Sequence, residues 1–472
     1  MTRYSAVASR LGTLIERGTL RAGDRLPSLR RTSRREGVSL TTSLQAYALL
    51  ESRGYIEARP QSGFFVRPSA VRSISEPLAA APRRGSVRVG LAALAMRVLE
   101  GAQDPSLVPL GAACPSSGLL PARKLARFAS LHVRRAPAEA NSYAFPPGRL
   151  ELRREIARRA VDWGGTLTPD AILVTCGATE ALHLALRAVT SRGDLVAVES
   201  PAYFGTLLTL EALGLRAVEI LTDPRDGLRL DALKEALARR RIAALVASPV
   251  CHNPLGATMP EAARQALVAL LARHRVPLIE DDVYGDAHYD AERPVPAKRF
   301  DRDGGVLLCG SFSKVLAPGY RVGWVAAGRY HARVMQLQLA STLAHPTLPQ
   351  ITVAAFLRSG GYDQFLKRMR GTYRDQVARA RDAVARYFPD GTRVSSPSGG
   401  FVLWAQLPDG VDALALAERA LARGISVSPG PLFSASGGHR TCLRLNCGHP
   451  WTSRLDAAVR TLGSLARSRG GS

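Results

Sequence analysis

Five short runs of polar residues, each lying just beyond an apolar stretch, hold the side chains best suited to chemistry. AILV (171–174) is followed by TCGATEAL, a glycine turn opening a helix, whose free N–H groups at Ala178 and Thr179 are placed to cradle a phosphate. LVAV (195–198) leads to ESPAYFG and the flat face of Tyr203, and AALVA (243–247) leads to SPVCHNPLG and the amide of Asn253. After PLIE (277–280) come Asp281, Asp282 and Tyr284, and after VLLC (306–309) comes GSFSKVLAPGYR, which gathers Ser311, Ser313, Lys314 and Arg321. Open α/β sheets bind ligands at the carboxyl ends of their strands, so these runs are expected to converge on one site.

A phosphate anchor, an aromatic plate, a carboxylate and a lysine are what pyridoxal 5'-phosphate requires of a protein. On this reading Lys314 is the catalytic residue and forms a Schiff base. Its amine must be neutral to attack, which the neighbouring phosphate-binding arginine promotes by lowering its pKa. Asp281 would keep the ring nitrogen protonated, and Tyr284 and Asn253 would bond the phenolic oxygen. Taken singly, Tyr203 reads equally as a core aromatic, the Asp281–Asp282 pair as a solvated turn, and the serines around Lys314 as a helix cap. Their joint occurrence carries the argument.

The elements that must position these groups follow from the alternation of the apolar runs with longer amphipathic stretches, which predicts a mainly parallel sheet wrapped by helices. At 472 residues and 46% hydrophobic content the chain can bury two cores of unequal size. The expected organisation is a compact module over 1–67, a Pro-, Ser-, Ala- and Arg-rich linker over 68–107 with one helix near 91–99, and a large domain over 108–472. The six cysteines are scattered, with no spacing suited to zinc, so no metal is expected. MTRYSAVASR has no apolar core of signal-peptide length, and no stretch approaches a membrane span, so a cytoplasmic protein is expected, nucleoid-associated when bound to DNA.

The first 66 residues hold eleven arginines against five acids. The whole chain carries a net charge of +25, an excess that fits polyanionic partners but equally reflects arginine-rich composition, since only five of its cations are lysines. Two short helices precede GVS, where Ser39 caps a third, SLTTSLQAYALLESRG. Leu44, Tyr47 and Ala48 are expected to face inward, leaving Thr41, Thr42 and Gln45 outward near the helix start, where a recognition helix meets base edges. YIEAR and GFFVR around residues 60–63 predict a two-stranded wing, with Arg59 and Gly63 near a phosphate backbone. From the pattern alone, a small helical domain that binds protein remains open.

The run G-x-L-x-x-G-x-R-L-P-S (18–28), GVS (37–39), A-Y-x-x-L-x-x-x-G-Y (46–55) and SGFFV (62–66) resembles the GntR family of winged-helix repressors. That resemblance implies DNA contact by Arg30, Ser39, Thr41, Thr42 and Gly63. Leu40 stands where the family often has arginine, and it cannot bond a guanine edge. GATEAL, ESPAY, HNPLG, EDDVY and SFSKVLAPGYRVGW are similar in order and spacing to fold-type I aminotransferases over roughly 108–472. The resemblance implies a large parallel-sheet domain and a smaller C-terminal α+β domain, with Lys314 as Schiff-base lysine and Asp281 as pyridine partner. It makes Tyr203 the stacking ring, Asn253 and Tyr284 the partners of O3′, and Ala178, Thr179, Ser311, Ser313 and Arg321 the phosphate site, Ala178 replacing a frequent hydroxyl residue. It further implies that Tyr143 reaches the phosphate of a neighbouring subunit, hence a homodimer, and that Arg444 in CLRLNCG grips a substrate α-carboxylate. Both halves in this order resemble the MocR subfamily of regulators. Such a protein is expected to bind double-stranded operator DNA and to sense a small amine, amino acid or vitamer through the Lys314 aldimine. A working aminotransferase with an accessory winged helix is the alternative.

Overall fold

The computed structural model describes residues 3–468 apart from 17–18, 22, 53–54, 60–61, 67–73, 83–84 and 291, so part of the expected wing tip and linker lies outside the described residues. The first module is α1 (Arg3–Glu16), α2 (Leu29–Glu36), α3 (Leu40–Ser52) and an antiparallel ribbon of β1 (Ile56–Arg59) and β2 (Gly63–Val66). Ser28 caps α2 by accepting from the Arg31 N–H, and Gly37 ends it in the left-handed region at φ 62°. The buried Tyr47 hydroxyl donates to the Pro27 carbonyl at 2.6 Å and lies 2.8 Å from Thr32 Oγ1, which fixes α3 against α2.

The inward stripe of α3 differs from the expected one. Ser43, Ala46, Tyr47 and Leu50 are buried, whereas Leu44 is 50% exposed and Ala48 lies outside. Two stripes pass through Tyr47. The one chosen pairs the bulk of Tyr47 and Leu50 with small residues at 43 and 46, which let α3 approach α1 closely.

The described part of 74–107 lies along the body. The Ser75 carbonyl accepts from Val394 N–H at 2.8 Å, Leu78 N–H donates to Gln406 Oε1 at 2.8 Å, and Glu76 pairs with Arg225 at 2.8 Å. Strand β3 (Val87–Arg88) then adds antiparallel to Arg216–Asp223, and helix α4 (Ala92–Gln103) buries Ala95 and Val98 among Phe204, Leu255, Trp404 and Phe433.

The main sheet runs β3, Arg216–Asp223, Leu195–Ser200, Ile242–Ala247, Leu278–Asp281, Val306–Ser311, Gly323–Ala326, Leu173–Thr175. The four pairings from Arg216–Asp223 to Val306–Ser311 are parallel, and Gly323–Ala326 runs against both its neighbours. One face packs Val196, Val198, Ile279 and Leu307, the other Ala197, Leu245, Leu278 and Val306. Burial on both faces explains why these strands read as unbroken apolar runs. A smaller antiparallel sheet of Arg393–Val394, Val402–Gln406, Cys442–Asn446 and Ser428–Pro429 packs with the helices Gly361–Tyr387, Ala413–Leu421 and Ser453–Arg467 around Val384, Leu403, Leu443 and Leu462. A short parallel pairing of Ile425–Ser426 with Val108–Pro109 brings residues 108–114 beside this second sheet.

Candidate functional site

Lys314 lies in the turn that follows strand Val306–Ser311, and its Nζ donates to the Ala113 carbonyl at 2.6 Å. Burial is the main force holding the amine below its ordinary range. Arg444 and Arg321 push the same way, while Cys114 and Asp281 oppose them. The arginine expected to neutralise Lys314 is therefore the lesser contributor.

Asp281 ends the strand Leu278–Asp281 and is 9% exposed, with Oδ1 accepting from the Val283 N–H at 3.3 Å. Burial pushes its carboxyl up to about 7, with Asp282 and Glu199 adding to the rise and Val283 N–H and Lys314 working against it. The Tyr284 ring packs on Phe401 at 5.6 Å, while its buried hydroxyl has no hydrogen-bond partner among the described residues. An unsatisfied buried hydroxyl is costly, which marks it as a group awaiting a ligand atom.

The phosphate candidates come together from three elements. Arg321 Nη1 donates to Ser313 Oγ at 3.1 Å and Nη2 to the Cys176 carbonyl at 3.3 Å, directly before the helix Gly177–Val189 whose first turn holds Ala178 and Thr179. Ser311 Oγ donates to Ser313 Oγ at 3.0 Å. The antiparallel strand Gly323–Ala326 makes this possible by setting Ser311, Gly323 and Thr175 in one row. Gly323 must lack a side chain, because a Cβ there would meet the Gly177 backbone at 2.4 Å.

Arg444, on strand Cys442–Asn446, is fully buried. It donates to Asn253 Oδ1 at 3.2 Å, to the Gly111 carbonyl at 2.7 Å and to Ser428 Oγ at 3.3 Å, and its guanidinium lies 4.9 Å from the Phe433 ring. No carboxylate is among these partners, its Nε has none, and burial lowers its pKa. Tyr203 precedes the helix Phe204–Ala212 and packs on Phe204 at 5.0 Å. It feels Asp281, Arg444 and Arg321, Lys314 feels the same three, and Tyr284 feels Arg444, Tyr203 and Asp281. Groups from well-separated chain segments thus share one space. Tyr143 is not among them. It is 71% exposed and stacks on the half-exposed Phe145 at 5.4 Å.

Sequence reasoning missed the Gly111 and Ala113 carbonyls, Ser428 and Phe433. These lie in loops or in elements too short to show a period, and the pairings of 425–426 with 108–109 and of 428–429 with 443–444 help gather them. It also missed Glu219, inside an apolar run, which accepts from Ser434 Oγ at 2.7 Å, Ala435 N–H at 2.9 Å and Ser436 Oγ at 2.6 Å and so fastens the loop carrying Phe433 to the large sheet.

In the first module Arg30 and Thr41 are exposed and Thr42 is half-buried. Ser39 Oγ accepts from the Thr42 N–H at 3.1 Å and lies 2.9 Å from Thr42 Oγ1, so these two hydroxyls face each other as the α3 cap. Arg59 is exposed, pairs with Glu57 at 2.8 Å and covers Phe65 at 4.5 Å. Opposite it in register, Gly63 adopts φ 102°. No helix among the described residues is long and apolar enough to cross a membrane.

Two family models match: bacterial regulatory proteins of the gntR family over residues 3–66, and aminotransferases of class I and II over residues 117–462. The chain is 40% identical to the HTH-type transcriptional regulator YdcR of Escherichia coli over 99% of its own length and 100% of that protein's. It is 29% identical to the HTH-type transcriptional regulator TauR of Rhodobacter capsulatus, over 88% and 86% of the two chains. Among solved structures it is similar to the α-aminoadipate aminotransferase LysN of Thermus thermophilus, complexed with N-(5'-phosphopyridoxyl)-L-leucine, with a TM-score of 0.72, 28% identity and coverage of 79% of this chain and 96% of that one.

Proposed function

Since the chain belongs to the GntR-type transcriptional regulators that carry a class I and II aminotransferase domain, we propose that it is a sensor which holds pyridoxal phosphate at Lys314 and adjusts its grip on DNA when an amino acid occupies the site. The observation that carries this reading is a pair: a buried lysine amine with lowered pKa, and a fully buried arginine with no carboxylate partner among the described residues. Together they suit a ligand with an amino group at one end and a carboxylate at the other.

The residues fit the cofactor. The orphaned Tyr284 hydroxyl suits a phenolic oxygen, and the buried Asp281 carboxyl suits a protonated ring nitrogen. Arg321, Ser311, Ser313 and the helix start at Ala178 and Thr179 suit a dianionic phosphate, and Tyr203 offers a ring to stack on. When bound, pyridoxal phosphate supplies an aldehyde for primary amines and an electron sink for the carbon beside the nitrogen. Lys314, whose proton burial makes easier to lose, would present its lone pair. Asp281 holds a proton at the ring nitrogen, and Asn253, bonded to Arg444, links the ring site to the carboxylate site.

A ligand held between Lys314 on the large domain and Arg444 on the smaller one draws the two together. Residues 75–78 and α4 rest on both, through Arg225 and Phe204 on one side and Val394, Gln406, Trp404 and Phe433 on the other, so the segment leading from the DNA-binding module feels that movement. The exposed Tyr143 and Phe145, beside Leu343 through the Ala144–His345 bridge, support a homodimer in which Tyr143 completes the partner's site. On this reading the protein works in the cytoplasm, on operator DNA.

The test is DNA affinity of the full chain across a panel of amines and amino acids, with Lys314→Ala beside it. Ligand-dependent affinity that vanishes in the variant supports the sensor, and affinity indifferent to every ligand in both proteins rejects it. The complete set of Lys314, Asp281, Tyr284 and Arg444 also favours a second reading, an aminotransferase. Multiple-turnover transfer from an amino acid to a 2-oxo acid distinguishes it, because a sensor need not complete the cycle.

A further inference from the structure

The outward face of α3 has an unusual chemistry for a helix that meets DNA. Leu40 and Leu44 are 49% and 50% exposed and sit one turn apart, about 6 Å along the helix. Thr41, Gln45 and Ala48 complete the exposed face, while Ser39 and Thr42 turn their hydroxyls to each other at the cap. The first two turns of α3 contain no charged residue, so nothing on this face can take hold of the guanine O6 and N7 pair by a cationic fork.

The surroundings commit this apolar strip to a nucleic-acid surface. Four arginines of α2, Arg30, Arg31, Arg34 and Arg35, are exposed, and none has an ion pair among the described residues. Arg59, exposed on the ribbon and paired with Glu57 at 2.8 Å, adds a further cation to the module. Free cations on the neighbouring helix beside an uncharged strip fit phosphates beside a groove floor.

On the floor of the major groove the apolar group is the thymine 5-methyl, and the adenine edge is the one a glutamine amide matches. We propose that Leu40 and Leu44 read thymine methyl groups and that Gln45 reads an adenine, so that the operator half-site carries an A·T-rich core where an arginine at position 40 would have selected guanine. This rests on the DNA-binding part of the proposed function and names its target chemistry. The 6 Å spacing of the two leucines spans about two base-pair steps, so the two thymines stand one or two steps apart. Burying one methyl against a leucine changes affinity about fourfold, and two change it roughly fifteenfold.

The experiment uses the full chain loaded with pyridoxal phosphate. A pool of randomised duplexes is enriched by repeated binding, and the enriched duplex is then synthesised with each dT in turn replaced by deoxyuridine, which removes the methyl and nothing else. The expected result is two neighbouring positions at which the replacement weakens binding about fourfold. In Leu40→Ala one of these sensitivities disappears, and Leu40→Arg moves the preference there to guanine. The proposal is overturned by a guanine at that place in the wild-type half-site, or by indifference to every replacement. Leu40→Ala and Leu44→Ala that leave DNA binding intact but alter oligomeric state also overturn it, by assigning the strip to a second copy of the chain. Failure of any duplex to bind would instead remove the DNA reading itself, and indifference to deoxyuridine with firm binding would leave that reading standing.

Discussion

Replacing Asp281 by asparagine tests the electrostatics of the site without any ligand. The unfolded carboxyl ionises near 3.8, whereas the folded one, buried and bonded only to the Val283 N–H, keeps its proton to about 7. Between those values the folded protein carries the extra proton, so the stability contributed by this group is full below pH 3.8 and falls as pH rises to about 7. A displacement of that size is worth roughly 4 kcal/mol, of which roughly 3 kcal/mol falls between pH 5 and pH 8. Glu280, raised to about 8 by burial, slopes the same way but is present in both proteins and cancels in the comparison. The assay is urea unfolding of cofactor-stripped wild type and Asp281→Asn at pH 5, 6, 7 and 8. Wild type should lose stability relative to the variant across that range, and saturating pyridoxal phosphate should flatten the wild-type curve. Parallel curves for the two stripped proteins would refute the picture of a buried, proton-retaining carboxyl held for a ring nitrogen.

Tyr284→Phe removes a buried hydroxyl that has no partner among the described residues, so it should raise the stability of the stripped protein by roughly 1 kcal/mol while weakening cofactor affinity about tenfold, read by unfolding and by fluorescence titration. Arg444→Leu should lower the affinity for amino acids by at least about tenfold yet leave simple amines within about twofold, because only the former carry the carboxylate; absorbance titration separates them. Val98→Ala, in the α4 contact with Phe204 and Phe433, should cost roughly 2 kcal/mol and shrink the ligand-driven change in DNA affinity while both separate affinities hold, measured by anisotropy with and without amino acid.

The residues of the candidate site were legible because the strand ends that carry them are short-range signals: an apolar run, then a turn, then a polar group. AILV, LVAV, AALVA, PLIE and VLLC all became strands of the main sheet, and their continuous apolarity follows from burial on both faces. The contacts of Gly111 with Ser428 and Arg444 were not legible, since they join residues more than three hundred positions apart through segments too short to show a period. The α3 stripe was misread for a subtler reason. Leucine at 44 looked more like core than serine at 43, but close helix packing favoured the smaller residue, and the leucines left outside became the feature of greatest interest. The strand Arg216–Asp223 escaped notice because Glu219 interrupts its apolar pattern, and that same glutamate anchors Ser434, Ala435 and Ser436.

The attachment of residues 75–78 to the body sets a leash on the DNA reader. From Val66, the last residue of the ribbon, to Ile74 the covalent path is eight residues, which reach at most roughly 28 Å when fully drawn out. If two chains pair as proposed, each reader is confined to a small volume around its own anchor, and the distance between half-sites would be dictated by the pairing of the bodies and not by free diffusion of the heads.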